Sequence, residues 1–302
     1  MPTPVQRLKF MNPPKLAALG QAVAMVVFLV TLAPNLLGQS LGWEGETGVF
    51  VTPLAYTASD EKHAVEPVVA YHYFDAGPVI GGFYEMSVTL GAIKRVEFGF
   101  TRELHSEGSD ATLSPLWHDG FNIFHGKVTL CPENFGHHSW VPAISGGFIA
   151  RTQVHNVGGA FLDKDSNDAD VYLVASKTIT QTKPFAVVLS GGERGTNAQL
   201  WGMGGNAPDF SGRAFGAMAL AFKGPAKSTI IVGSEAAQQP HHPDQFPTLN
   251  IPTTLTYCVR FVPSPKHKFN VDFGVAQIAG NVMPGVNLKA RAQVGTQVSY
   301  GF

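Results

Sequence analysis

Charge is scarce in this sequence. Asp, Glu, Lys and Arg make up 14% of its 302 residues, against about 25% in an average soluble domain. Intrinsic disorder needs much charge and few aromatics, and the 21 Phe found here exclude it. The formal net charge of −1 removes any general electrostatic case for nucleic acid. Cysteine is nearly absent. Cys131 and Cys258 lie far apart in the chain, so we expect isolated thiols and no disulfide framework. Sustained helical periodicity is missing, and so are long apolar runs beyond one near the N-terminus.

That run has a context. Arg7, Lys9 and Lys15 precede an apolar stretch over Leu16–Ala33, densest at Ala22–Leu32, and Pro34 and Asn35 follow it. A basic start, a short apolar core and the small residues Gly38 and Ser40 read as a secretory signal peptide over residues 1–40. The alternative is an uncleaved anchor, against which Gly20 and Gln21 interrupt the run. Export of the remainder is the expectation.

Beyond it the recurring feature is alternation with period two. Val96, Phe98 and Phe100 alternate with Glu97, Gly99 and Thr101, and Phe124, Val128 and Leu130 oppose His125, Lys127 and Thr129. Leu255, Tyr257, Val259 and Phe261 oppose Thr256, Cys258 and Arg260, while Phe269, Val271, Phe273 and Val275 oppose Asn270, Asp272 and Gly274. The C-terminus gives the longest run: Leu288, Ala290, Ala292, Val294, Thr296, Val298, Tyr300 and Phe302 on one face, with Lys289 and Arg291 on the other. One long strand over 286–302 is predicted there.

Twelve strands are predicted, at approximately 65–74, 79–91, 94–104, 120–131, 140–154, 169–180, 184–194, 212–223, 227–236, 252–262, 267–278 and 286–302. Short connections alternate with long polar ones. An up-and-down transmembrane barrel demands that alternation, with short periplasmic turns and longer external loops, and a Greek-key sandwich has no reason to produce it. The expected fold is therefore an all-β, antiparallel, transmembrane barrel over 65–302. An even strand count keeps Gly45–Tyr56 out of the wall, within a pre-barrel segment 41–64 at the periplasmic mouth or in the lumen. The alternative is fourteen strands.

The terminal Tyr300-Gly301-Phe302, with Gly295 before it, resembles the signal by which bacterial outer-membrane proteins reach the barrel-assembly machinery. Gly48–Tyr56, Leu90–Gly99 and Ala169–Lys177 resemble segments of outer-membrane barrels associated with exopolysaccharide loci. The resemblance implies a barrel in the bacterial outer membrane, in contact with its lipid and the assembly machinery, and with envelope or polysaccharide-export proteins as partners. It implies no established activity.

Chemistry is hard to find. No G-x-S-x-G elbow exists, and the glycines of Gly202–Gly205 lack the Lys and helix of a phosphate loop. Adjacent residues on an extended chain point to opposite sides, so neither His137-His138 nor His241-His242 suits one metal ion. The run Asp163–Asp168 lacks the Gly and distal Glu of a calcium loop and reads as solvated. We expect no catalytic residue, metal or cofactor. The candidate lumen-facing residues are Glu97, Lys127, Arg260, Asp272, Lys289 and Arg291, with Glu103 beside them. Mixed signs favour cross-lumen ion pairs and a narrow or partly plugged interior. The expected function is a narrow pore, export conduit or accessory envelope barrel; the alternative is an exported soluble β-sandwich that binds a ligand.

Overall fold

The computed structural model describes residues 40–59, 62, 64–111, 117–154, 167–182, 184–198, 206–240, 251–263 and 268–302. The strands are β1 (Val65–Asp75), β2 (Gly81–Ala92), β3 (Val96–Glu107), β4 (Phe121–Cys131), β5 (Ala143–Gln153), β6 (Asp168–Ile179) and β7 (Phe185–Ala198). They continue with β8 (Asn206–Lys223), β9 (Thr229–Ala237), β10 (Thr254–Val262), β11 (Phe269–Gln277), β12 (Ala279–Met283), β13 (Val286–Ala290) and β14 (Gln293–Gly301). Twelve of them close a barrel in which chain neighbours pair antiparallel, and β14 joins β11 to β1. Closure leaves no unpaired strand edge. It also replaces the two-sheet sandwich considered as the alternative.

The alternation sets the faces. On β11, Asn270, Asp272, Gly274 and Ala276 are buried, while Phe273 is 58% and Val275 43% exposed. The same division runs through β3, where Glu97, Thr101 and Glu103 are buried and Phe98 and Phe100 exposed. Large apolar side chains therefore cover the outside of the wall, and its inside carries the charged ones beside an apolar patch of Val188, Ala219 and Ile231.

Connections of 93–95, 132–142, 180–184, 224–228 and 263–268 lie at the end where β1 begins and β14 finishes. The tightest of them puts Ile93 and Lys94 at φ 51° and 54°, the left-handed pair of a type I′ turn that Arg95 N closes onto Ala92 O at 3.0 Å. The opposite end carries the connections that read as external: 76–80, 108–120, 154–167, 199–205, 238–253 and 278–292.

The C-terminal prediction needs correction. Residues 286–302 do not form one strand. A turn at Pro284-Gly285, with Gly285 at φ 80°, folds β12 onto β13, and Lys289 at φ 53° breaks the run before β14. Leu288 and Ala290 keep their alternation but turn it inward, onto the short helix α1 (Gly77–Ile80), Phe74, Phe83 and Trp117. These residues make an apolar cap over the long-connection end. Phe83 packs edge-on against Trp117 at 6.4 Å, and Trp43 against Phe74 at 5.3 Å.

Gly45–Tyr56 forms no wall strand. The segment 40–59 is instead a compact coil with isolated bridges Leu41–Thr47 and Gly48–Pro53, enclosed by the barrel. It is stapled internally by Trp43 N to Phe50 O (2.7 Å) and Leu54 N to Thr47 O (3.0 Å).

The exterior assignment is testable on the outer face of one strand. Phe273→Arg, on the outer face of β11, should cost about 2–4 kcal/mol in a bilayer if it lies near the midplane, measured by urea unfolding in phospholipid vesicles. Val271→Arg, two positions along the same face, should behave alike. Stability unchanged by both substitutions would place this face away from lipid.

Candidate functional site

The interior is organised in cross-strand rows. Arg260 of β10 stands opposite Asp272 of β11, which stands opposite Gln297 of β14. The row continues through His72 of β1 and Glu85 of β2 to Glu103 of β3. All six side chains are buried. A second row brings Glu97 of β3 opposite Lys127 of β4. In a dry interior such charges are tolerated only when paired and hydrogen-bonded.

Some are paired within the wall. Arg260 donates from Nε and Nη2 to both oxygens of Asp272, at 2.7–3.0 Å. Lys127 Nζ lies 2.7 Å from Glu97 Oε1. Arg151 of β5 reaches Asp168 at 3.0 Å and Asp170 at 2.8 Å, both on β6, and also pairs with Glu44 of the enclosed segment. Asp168 thus opens β6 as an ion-pair partner and is not the solvated loop residue predicted.

The remaining capacity goes to the segment 40–59. Glu97 accepts hydrogen bonds from Thr47 N (3.0 Å), Thr47 Oγ1 (2.6 Å) and Ala58 N (2.9 Å), and Lys127 donates to Thr47 O at 3.0 Å. Glu235 of β9 receives three successive amides: Phe50 N at 3.1 Å, Val51 N at 3.0 Å and Thr52 N at 2.8 Å. The Thr52 hydroxyl adds a fourth bond at 2.6 Å. Arg260 donates to Val49 O, and Gln297 to Leu41 O. Hydroxyls complete the set: Thr89 to Gly45 O at 2.6 Å, Thr101 to Glu44 O at 3.0 Å, and Ser145 to Ala55 O at 2.6 Å. Near the short-connection end Tyr56 Oη donates to Glu133 at 3.1 Å. A coil with no ladder of its own has its backbone groups satisfied by side chains of the wall.

Shape matches as well. The Phe50 ring lies over Gly274 and Gly295, where a Cβ would stand 3.1 Å and 2.5 Å from its carbons. Gly295, predicted as part of the assembly signal, is thus also the position that admits this ring. Tyr300 and Phe302 are exposed on the outside.

Of the predicted lumen residues, Glu97, Glu103, Lys127, Arg260 and Asp272 line the buried interior. Lys289 and Arg291 do not. Both are exposed at the β12–β13 hairpin and its exit, because the turn at 284–285 removes them from the wall. The sequence reading omitted Glu44, Glu46, Arg151 and Glu235. The last two sit on the polar parity of predicted strands, a usable signal; the first two lie in a coil without periodicity.

Both Glu46 carboxylate oxygens are buried without a hydrogen-bond partner, as are both of Glu85 and both ring nitrogens of His72. Burial, reinforced by the neighbouring Glu44 carboxylate, holds the Glu46 carboxyl well above the usual range; Lys127 offsets this only in part. Burial also raises Glu44, against the opposing pull of Arg151.

Both thiols are free. Cys258 is buried on the inner face against Gly233, a position that Val49 also contacts. Among the described residues no group of three or more His, Cys, Asp or Glu is arranged to hold a metal ion. The pair His241-His242 and the glycines of Gly202–Gly205 lie outside the described residues.

Glu235→Ala removes four hydrogen bonds to the segment at once. A bond to a charged group contributes about 1.5–3 kcal/mol, so maleimide labelling of Cys258 in a Cys131→Ser background should rise at least tenfold. An unchanged rate would mean that residues 50–52 are held by other contacts. Gly295→Leu should destabilise the protein, and Phe50→Ala should relieve part of that cost; additive effects would contradict the contact.

No protein-family model and no curated protein matches the sequence. Among solved structures the chain is similar to the KdgM porin, with 11% identity over 79% of this chain and 99% of that one at a TM-score of 0.44. It is similar to the NanC porin, with 7% identity over 79% and 99% at a TM-score of 0.44. An outer membrane channel from Pseudomonas putida F1 gives 8% identity over 81% and 99% at 0.42. The likeness goes no further than the general arrangement of strands.

Proposed function

We propose that the protein spans the bacterial outer membrane as a twelve-stranded barrel whose conduit is held closed by its own residues 40–59. The observation that carries this reading is the inverted distribution of polarity around a closed wall. Large apolar side chains are exposed on every wall strand, among them Tyr71 on β1, Leu173 on β6, Val232 on β9 and Val298 on β14. Water-soluble monomers rarely expose contiguous apolar patches beyond a few hundred Å², and a lipid-facing barrel requires such a surface all round.

The interior supports a closed resting state. Twelve strands fall between eight-stranded barrels filled by side chains and sixteen-stranded porins with open channels. In this chain the intermediate space takes up a coil, held by polar contacts together with an apolar patch of Val49, Phe50 and Leu54 against Val188, Ala219 and Ile231. Polar contacts suit a removable closure, because water can replace each of them when the segment leaves. Under this reading Tyr300 and Phe302 are the outward residues offered to the assembly machinery, and an envelope or polysaccharide-export partner would meet the short-connection end, where the segment enters.

Planar-bilayer recording tests the proposal. The intact protein should give small or flickering conductance, and deletion of residues 42–56 should give a larger, steady one. Stable, large conductance from the intact protein would overturn the closed state. Equal conductance with and without the segment would show that the cap or a side chain closes the conduit instead.

A further inference from the structure

Buried polar atoms almost always find hydrogen-bond partners, so a concentration of exceptions calls for a cause. Three side chains with every polar atom unpartnered lie together where the enclosed segment meets β1 and β2. Glu46 on the segment, Glu85 on β2 and His72 on β1 are each at most 1% exposed, and none of their side-chain polar atoms makes a hydrogen bond. His72 Nδ1 stands 3.7 Å from Glu85, outside hydrogen-bond range. Glu103 faces Glu85 directly across the β2–β3 ladder, and its Oε1 is also unpartnered.

The nearby cations are already committed. Lys127 is engaged with Glu97 and Thr47 O, and Arg151 with Glu44, Asp168 and Asp170. The charged and titratable groups that act on Glu46 are Glu44 on its own segment, Glu85 of β2, Glu97 of β3, Lys127 of β4 and Tyr172 of β6. One of these is a cation, and an ion pair at 2.7 Å occupies it. An ionised Glu46 would therefore be a dry charge among like charges, without a side-chain donor to receive it.

We propose that Glu46 is a proton-operated latch: the segment 40–59 is held in the barrel with a proton on this carboxyl, and loss of the proton drives the segment out. The idea rests on the closed-conduit reading above and adds what controls it. A carboxyl that keeps its proton inside the barrel, but has ordinary acidity once solvated, does not oppose closure at low pH. As pH rises above the usual carboxylate range, the released state gains stability by ionising, and closure weakens. Glu97 and Glu235, by contrast, meet donors from the segment in the closed state.

Cys258 provides a native reporter, buried on the inner wall where Val49 of the segment packs. The full-length Cys131→Ser protein in phospholipid vesicles is labelled with a maleimide from about pH 5 to about pH 8, alongside the same protein carrying Glu46→Gln. Taking the ratio of rates at each pH cancels the ionisation of the thiol. The ratio should climb with pH, by up to about tenfold per unit for each proton released, while Glu46→Gln stays slow. Glu235→Gln, with Glu46 intact, should speed labelling and keep a rise with pH.

Identical pH profiles with and without Glu46→Gln would overturn the latch. Fast labelling of both proteins at every pH would instead refute the closed conduit itself. Should Glu46→Gln fail to insert, the wild-type conductance decides: it must grow as pH rises, and pH-independent conductance would overturn the proposal.

Discussion

The constraint on which the structure depends is that charges placed inside a closed barrel must find partners there. The wall is twelve strands of alternating polarity, with large apolar side chains on the outer face and the charged ones turned to the inner face. An empty lumen would hydrate them. In this chain the lumen is occupied, so each carboxylate and cation needs a protein partner or incurs a large desolvation cost. Glu97 and Lys127 show the solution in its simplest form: they pair across β3 and β4, then divide their remaining hydrogen bonds over the backbone of Thr47.

The enclosed segment is therefore defined by the wall more than by itself. Its own backbone contacts are a few local turns and two isolated bridges. Its position comes from opposing anchors: Glu235 gathers the amides of 50–52, while Arg260 and Ser145 hold carbonyls on either side. Gly274 and Gly295 leave the hollow into which Phe50 fits. Above it, the apolar cap of α1, the β12–β13 hairpin and Trp117 closes the long-connection end by the opposite physics, burial of apolar surface. The two ends differ accordingly. The cap is apolar throughout, whereas the segment combines hydrogen bonds from the wall with an apolar patch of Val49, Phe50 and Leu54 against Val188, Ala219 and Ile231.

Glu46 is where the first solution is incomplete. It is carried into the barrel by a segment whose other groups are matched, and it reaches a region where the cations are spent. On the wall beside it, His72 and Glu85 are likewise buried without hydrogen-bond partners.

Period-two alternation determined the wall. Side chains on a strand point to opposite sides, so the chain alone assigned Asp272 inward and Phe273 outward, and the spacing of connections argued for closure with twelve strands. Alternation also led the prediction astray at 286–302, because a pattern of faces says nothing about where the strand carrying it is bent. The turn at Pro284-Gly285 and the left-handed Lys289 sent Leu288 into the cap and took Lys289 and Arg291 out of the lumen. What only the tertiary structure decided is which groups meet inside. Glu44 finds Arg151, Thr52 finds Glu235 and Val49 finds Arg260 across separations of a hundred residues or more. A coil has no periodicity from which such partners can be read; closing the barrel around it brings them together.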